Sequence, residues 1–282
     1  MNRSAQPPGR WIPSKFVSAS IALHVGAGLA LLARPRIWPI ALGAVVADHL
    51  LLTGAGLWPR SRLLGPNWTR LPAASALRRE IAITIDDGPD PEVTPRVLAI
   101  LDEYRARASF FCVGSLVERH AALAREIVRR GHAIENHSHT HPLYFSLLGP
   151  DALHGQVARA QDSIADATGE RPAFFRAPAG LRNPFLDPVL TRLGLALASW
   201  TRRGFDTVNR DADDVFGRLR RKLASGDILL LHDGNAVRAD RGPPVILEVL
   251  PRLLAAARDL EFAPVTLRAA LEPAAARGRI HP

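Results

Sequence analysis

The chain has 282 residues and one cysteine, Cys112, which excludes an internal disulfide framework and any zinc site built on a cysteine cluster. The lone cysteine does not decide compartment, since a periplasmic chain can lack disulfides too. Acidic residues are nearly missing from the first 80 positions, where Asp48 and Glu80 stand against ten Lys and Arg. The formal charge of +9 sits almost wholly in that stretch, and residues 81–282 are close to neutral at +1. A nucleic-acid partner thereby loses its main support, because the basic excess is not on the part long enough to fold into a large domain. What the chain holds in quantity is apolar: 47% hydrophobic residues and five Trp. That composition excludes a disordered or collagen-like chain. The length suits one large domain or two ordinary ones.

Charge is also lacking between Phe16 and Leu32, and four residues, Ala33-Arg34-Pro35-Arg36, separate that run from a second apolar run, Ile37 to Trp58. A helix needs about 20 apolar residues to cross the hydrocarbon core. The second run meets this and the first falls just short, so residues 16–58 are expected to form a membrane-associated helical hairpin. The alternatives are a signal peptide followed by a core helix, or a hairpin lying in the interface. The first run ends Ala30-Leu31-Leu32-Ala33 and offers a poor cleavage point. The hairpin turn carries Arg34 and Arg36, against Arg3, Arg10 and Lys15 before it and Arg60, Arg62 and Arg70 after it. The positive-inside rule then leans towards a cytoplasmic body on a bacterial-type inner membrane. Asp48 and His49 fall mid-span, where ionisable groups usually face a partner; His24 on the first run is one candidate.

From residue 81 short apolar runs alternate with stretches of helical period. The runs are Ile81–Ile85, Ala108–Val113, Ala133–Glu135, Ala173–Phe175, Ala196–Trp200, Ile228–Leu231 and Phe262–Val265. Helices are expected over Thr94–Tyr104, His120–Arg130, Asp151–Thr168, Pro184–Leu193, Ala212–Ala224 and Pro244–Arg258, several ending at a glycine (Gly131, Gly169, Gly194). Buried strands separated by helices point to parallel β/α units. The expected fold class is α/β, an incomplete (β/α)7-type barrel preceded by the hydrophobic hairpin, with an open doubly wound sheet as the alternative. The expected division is 1–75 for hairpin and basic linker and 76–282 for the catalytic domain.

The polar residues that interrupt this pattern follow strands, where a β/α barrel gathers its active site. Asp86-Asp87 follows the first strand, His137 the third, Arg176 the fourth and His232 the sixth, while Asp206 comes six residues after the fifth. His137 and His141, spaced i, i+4, can present both rings to one metal, although either alone is equally a surface or capping residue. With an Asp from another strand end they would make a two-His, one-carboxylate set that leaves positions open for water and substrate. His139 lies between them and is expected to point away. Asp86-Asp87 before Gly88-Pro89 is either a solvated turn or a pair in which one carboxylate binds metal and the other takes a proton. His232 is either a core residue or an acid/base group, and its company on the rim favours the latter. Arg176 can hold a carboxylate through its fork of donors.

These residues, in this order, resemble the polysaccharide deacetylase family, the NodB-homology domains of carbohydrate esterase family 4. Thr84-Ile85-Asp86-Asp87-Gly88-Pro89 is similar to that family's first motif, and His137-Ser138-His139-Thr140-His141-Pro142 to its second. Phe175-Arg176-Ala177-Pro178-Ala179-Gly180 matches the third and Leu229-Leu230-Leu231-His232 the fifth. The resemblance runs from about residue 80 to 235. It implies Asp87, His137 and His141 as ligands of a divalent metal, usually Zn2+. It also implies Asp86 as catalytic base oriented by Arg176, His232 as general acid, and the Ala179 backbone N–H as an oxyanion donor. Ile85 stands where the family has Phe, Ala179 where it often has Tyr, and the fourth motif is degraded, leaving Asp206 as the residue assigned to support His232.

The resemblance therefore implies a metal-dependent hydrolase that removes N-acetyl or other acyl groups from amino sugars of a polysaccharide or glycolipid by attack of a metal-activated water. One alternative is a deformylase or deacetylase of a polyprenyl-linked sugar, to which the hairpin and its basic flanks are suited. Another is a catalytically inactive carbohydrate-binding member, against which the retention of both acids, both ligand His and His232 argues. The expected partners are an N-acetylated glycan or glycolipid and, through residues 16–58, a membrane, with no nucleic acid.

Overall fold

The computed structural model describes residues 10–239 and 242–271; Arg3, counted above in the basic flank, lies outside them. The first two apolar runs are helices, α1 (Lys15–Ala33) and α2 (Trp38–Leu57), joined by a single 3-10 turn at Pro35–Ile37. Ser14 starts α1 by accepting from the Val17 N–H on its side chain. Most large apolar residues of the pair, including Ile21, Leu29, Ile40 and Leu50, are exposed. By length and composition both helices are apolar enough to cross a membrane. The two polar spots in the runs meet each other: the Ser20 hydroxyl donates to Asp48 Oδ2 at 2.6 Å, and His24 Nε2 lies 3.1 Å from His49 Nε2. His24 Nδ1 is also 3.8 Å from Asp48. Both mid-span groups are thus partnered across the hairpin, His24 being one partner among two.

Residues 58–72 form an irregular strap along the body. Trp68 bridges Ala198, Asn67 donates to the carbonyls of Pro59 and Ser61, and Leu71 enters the core beside Trp200. After the short helix α3 (Ala73–Leu77) the strands follow: β1 (Glu80–Asp86), β2 (Ala108–Cys112), β3 (Ala133–Asn136), β4 (Phe174–Phe175), β5 (Ala196–Leu197), β6 (Arg202–Arg203), β7 (Ile228–His232) and β8 (Ala263–Pro264). Every pairing among these strands is parallel, in the order β5-β4-β3-β2-β1-β7-β6, with β8 against the start of β1. This is an incomplete β/α barrel of seven strands in path, as expected. The path includes a strand the sequence reading passed over: β6, two arginines with no apolar run to announce them.

Helices α4 (Thr94–Glu103), α5 (Gly114–Arg119), α6 (Ala121–Arg129), α7 (Pro150–Thr168), α8 (Leu186–Arg192), α9 (Ala212–Arg220), α10 (Ile246–Asp259) and α11 (Leu267–Leu271) accompany the sheet. β1, β2 and β7 are buried along their whole length, which is why their sequences are continuous apolar runs without alternation. Ile83, Ile85, Phe110, Leu229 and Leu231 share one core with Leu98, Leu250 and Leu253 of α4 and α10. Gly131, Gly169 and Gly194 end their helices with φ of 80°, 77° and 70°, in the left-handed region expected of them.

Candidate active site

The sheet's hydrogen bonding continues one step past the strand ends and carries the polar residues with it. The Asp87 N–H donates to the Phe111 carbonyl, that of His137 to Cys112 and that of Arg176 to Asn136. Side chains alternate along β1, so Asp86 and Asp87 should diverge. Asp87 instead adopts a left-handed backbone with φ 76°, and both carboxylates face one cleft. Ser138, His141 and Ala179 are left-handed as well, with φ of 65°, 50° and 54°. Such conformations cost of order 1–3 kcal/mol each and persist where the surroundings impose them. Here the imposing bonds are visible. The Asn136 side chain accepts from the Ser138 N–H at 2.9 Å, the Ser138 hydroxyl accepts from the His141 N–H at 3.0 Å, and Gln156 of α7 accepts from the N–H groups of His139 and Thr140.

The structure brings Asp87, His137 and His141 together, one ligand atom from each lying within 4.8 Å of the others. His137 Nδ1 is 2.8 Å from the Arg176 carbonyl, an acceptor only, so Nδ1 carries the proton and Nε2 presents a lone pair. That Nε2 is 3.1 Å from Asp87 Oδ1, and His141 Nε2 is 3.3 Å from the same oxygen. Asp87 Oδ1 is buried without a properly directed hydrogen bond. A buried polar atom in that condition costs about 1–3 kcal/mol. Two imidazole nitrogens and an orphaned carboxylate oxygen turned toward one point are a donor set that fits a divalent cation, and two N donors with one O suit zinc. Burial works to raise the Asp87 carboxyl, but the neighbouring rings of His137, His232 and His141 outweigh it and hold the group well below the usual carboxylate range.

Asp86 faces a different partner. Arg176 is 1% exposed and uses four of its five N–H donors: Nη1 on Asp86 Oδ1 at 2.6 Å and on Thr84 Oγ1 at 2.8 Å, Nε on the Ala198 carbonyl and Nη2 on the Ser199 carbonyl. Its guanidinium lies 4.0 Å over the Phe111 ring. A buried fork so fully engaged fixes the orientation of Asp86. His232 Nδ1 is 2.9 Å from Asp206 Oδ1, and Asp206 Oδ2 accepts the His232 backbone N–H at 2.7 Å. Asp206 is fully buried and lies three residues past β6, which places it too at a C-terminal strand end. Burial pushes His232 down, while Asp206, then Asp86 and Asp87, push it up by more, so the ring holds its proton more firmly than an ordinary histidine. Ala179 is exposed on the turn Pro178–Gly180 that follows β4. His139 points elsewhere, its Nε2 3.9 Å from Glu118.

The segment after His232 holds residues that sequence reasoning missed. Asn235 Nδ2 donates to Asp87 Oδ2 at 3.2 Å. Asp233 is buried against the Thr94 hydroxyl and the Gly234 N–H, and its burial lifts the carboxyl to about 7. Gly234 lets this turn pass under Asp87: a Cβ there would lie 2.3 Å from the Asp87 carbonyl oxygen. The Asp-Gly-Asn string is itself a turn signal and was the cue available.

Known proteins resemble this chain in sequence and fold. Residues 74–198 match the polysaccharide deacetylase family profile. The chain is 34% identical over 175 residues to a peptidoglycan-N-acetylglucosamine deacetylase of Bacillus cereus, covering 61% of this chain and 81% of that protein. It is 34% identical over 157 residues to a chitooligosaccharide deacetylase of Bradyrhizobium, covering 55% of this chain and 71% of that one. The fold is shared with a carbohydrate esterase family 4 pseudoenzyme of Bacillus anthracis at a TM-score of 0.62 and 23% identity, over 69% of this chain and 66% of that one. The protein belongs to the polysaccharide deacetylase family, hydrolases of non-peptide carbon–nitrogen bonds.

Proposed function

We propose that the protein is a membrane-anchored, metal-dependent N-deacetylase of acetamido sugars, with residues 1–75 as anchor and strap and 76–282 as the catalytic body. The observation that carries the reading is the convergence of Asp87 Oδ1, His137 Nε2 and His141 Nε2, with the His137 tautomer set by the Arg176 carbonyl. The two relatives act on peptidoglycan N-acetylglucosamine and on chitooligosaccharides, and an N-acetylated amino sugar is common to both.

Asp87, His137 and His141 would hold the cation, zinc by the donor set. When bound, it supplies polarisation of the amide carbonyl and a lower pKa for water. Asp86, its other oxygen held by Arg176, takes the proton of the water that adds to the carbonyl carbon. The Ala179 N–H donates to the oxygen that gains charge. His232, kept protonated and oriented by Asp206, gives its proton to the sugar nitrogen as the C–N bond breaks, leaving acetate and a free amine.

Acetate release from N-acetylglucosamine oligosaccharides by the full-length, zinc-loaded protein tests this. Asp87→Ala, His137→Ala and Asp86→Asn should each abolish turnover, and undiminished activity in any of them would overturn the assignment. A wild-type protein that neither binds metal nor releases acetate would point to the inactive, glycan-binding alternative.

A further inference from the structure

The body is not joined to the hairpin by a free linker. The Arg182 N–H donates to the Gly56 carbonyl near the end of α2, and Arg182 Nη2 donates to the Ser61 carbonyl at 2.6 Å. The Ser199 hydroxyl donates to the Pro59 carbonyl at 2.6 Å. Trp11, just before α1, donates its indole N–H to Asp187 at 2.8 Å. A Cβ at Gly180, beside Ala179, would lie 2.8 Å from the Pro59 side chain. The hairpin therefore leaves the body from the loops at the C-terminal ends of β4 and β5, the same end that opens the cleft.

That end is apolar where it meets solvent. Leu143 and Leu147, which follow the ligand His141, are 95% and 83% exposed, and Phe185 beyond the third motif is 51% exposed. Asn183 ties these two loops together, donating to the carbonyls of Ser146 and Leu148. Trp58, 57% exposed, continues the surface onto the hairpin exit, next to the exposed Arg60 and Arg62. Single exposed apolar residues elsewhere on the body, Leu77 and Leu260 among them, need no explanation. Four such residues gathered at one end of the molecule do. This rim is continuous with two helices of spanning length, has a Trp at the level where they end, and has arginines placed for anionic headgroups.

We propose that this rim is a bilayer-docking surface: Leu143, Leu147 and Phe185 sit in the lipid interface from which the hairpin emerges, so the cleft opens towards the membrane and the sugar it hydrolyses is carried on a membrane lipid. The substrate class rests on the deacetylase reading; the docking does not.

The test uses the full chain reconstituted in vesicles of phosphatidylethanolamine and phosphatidylglycerol. Cys112 is buried, so Leu147→Cys and Phe185→Cys can each be labelled selectively with an environment-sensitive fluorophore, with the exposed Arg258→Cys on α10 as control. Labels at 147 and 185 should shift to the blue and be quenched several-fold more by brominated lipid than by aqueous iodide, with the reverse at 258. Equal iodide quenching at all three positions overturns the docking. In the same vesicles, kcat/KM for N-acetylglucosamine on a polyprenyl phosphate should exceed that for a soluble oligosaccharide at least tenfold. The variant combining Leu143→Glu, Leu147→Glu and Phe185→Glu should lose that preference. Equal efficiency on both substrates overturns the lipid-borne class. Release from neither overturns the deacetylase reading instead, and the labels then judge the docking alone.

Discussion

Asp206 bonds His232 at both its ring and its backbone, so its carboxylate sets where the imidazole points and how firmly it holds a proton. Asp206→Asn should lower kcat about 100-fold while leaving KM and bound-metal content in place. The pH profile separates this from general damage. Burial lowers the His232 pKa, and Asp206 is the foremost of the groups that raise it above the ordinary value. An imidazole with a raised pKa keeps its acid form further into the alkaline range, so the variant's activity should fall off at a lower pH than the wild type's. An unmoved alkaline limb would remove Asp206 from this role. Asn235→Ala deletes the amide that holds Asp87 Oδ2 and should weaken divalent-metal retention about tenfold, measured by competition with a chelator. At this scale the converging acids and imidazoles were legible, because such groups at strand ends have few bland explanations once they share a rim. Their supports were not. Asn136 closes a strand and Ser138 and Asn235 are ordinary turn residues, and only their hydrogen bonds to Ser138, His141 and Asp87 show what they hold.

Glu135 is the counterpart within the frame. Fully buried at the end of β3, it accepts from the N–H groups of Ala173 and Phe174 and pairs with Arg268 of α11 at 2.7 Å. Three elements thus close on one carboxylate. Arg268→Ala leaves that charge without its cation and should destabilise the fold by about 3 kcal/mol, read from the denaturation midpoint of the protein in detergent, with divalent-metal affinity unchanged. Strands β1, β2 and β7 were readable because burial on both faces demands an unbroken apolar run. β6 was not, since its two arginines lend the sheet only backbone, while Arg202 turns its side chain to Asp227. Missing β6 also hid the place of Asp206, which lies three residues past that strand, beside β7.

For the whole molecule, the exposed apolar surface of α1 and α2 leads to a direct expectation: the protein should stay with membranes through alkaline carbonate and high salt, and leave only with detergent. Release by carbonate would show that the hairpin does not span. The strap of residues 58–72 has a mechanical meaning of its own. A slack chain of that length could extend roughly 50 Å and let an enzyme sweep a wide hemisphere in search of targets. Stitched down at Pro59, Ser61, Asn67 and Trp68, it gives the enzyme no leash. With the hairpin in a bilayer, its working height would be set by its own dimensions, and glycan chains remote from the anchor would have to come to it.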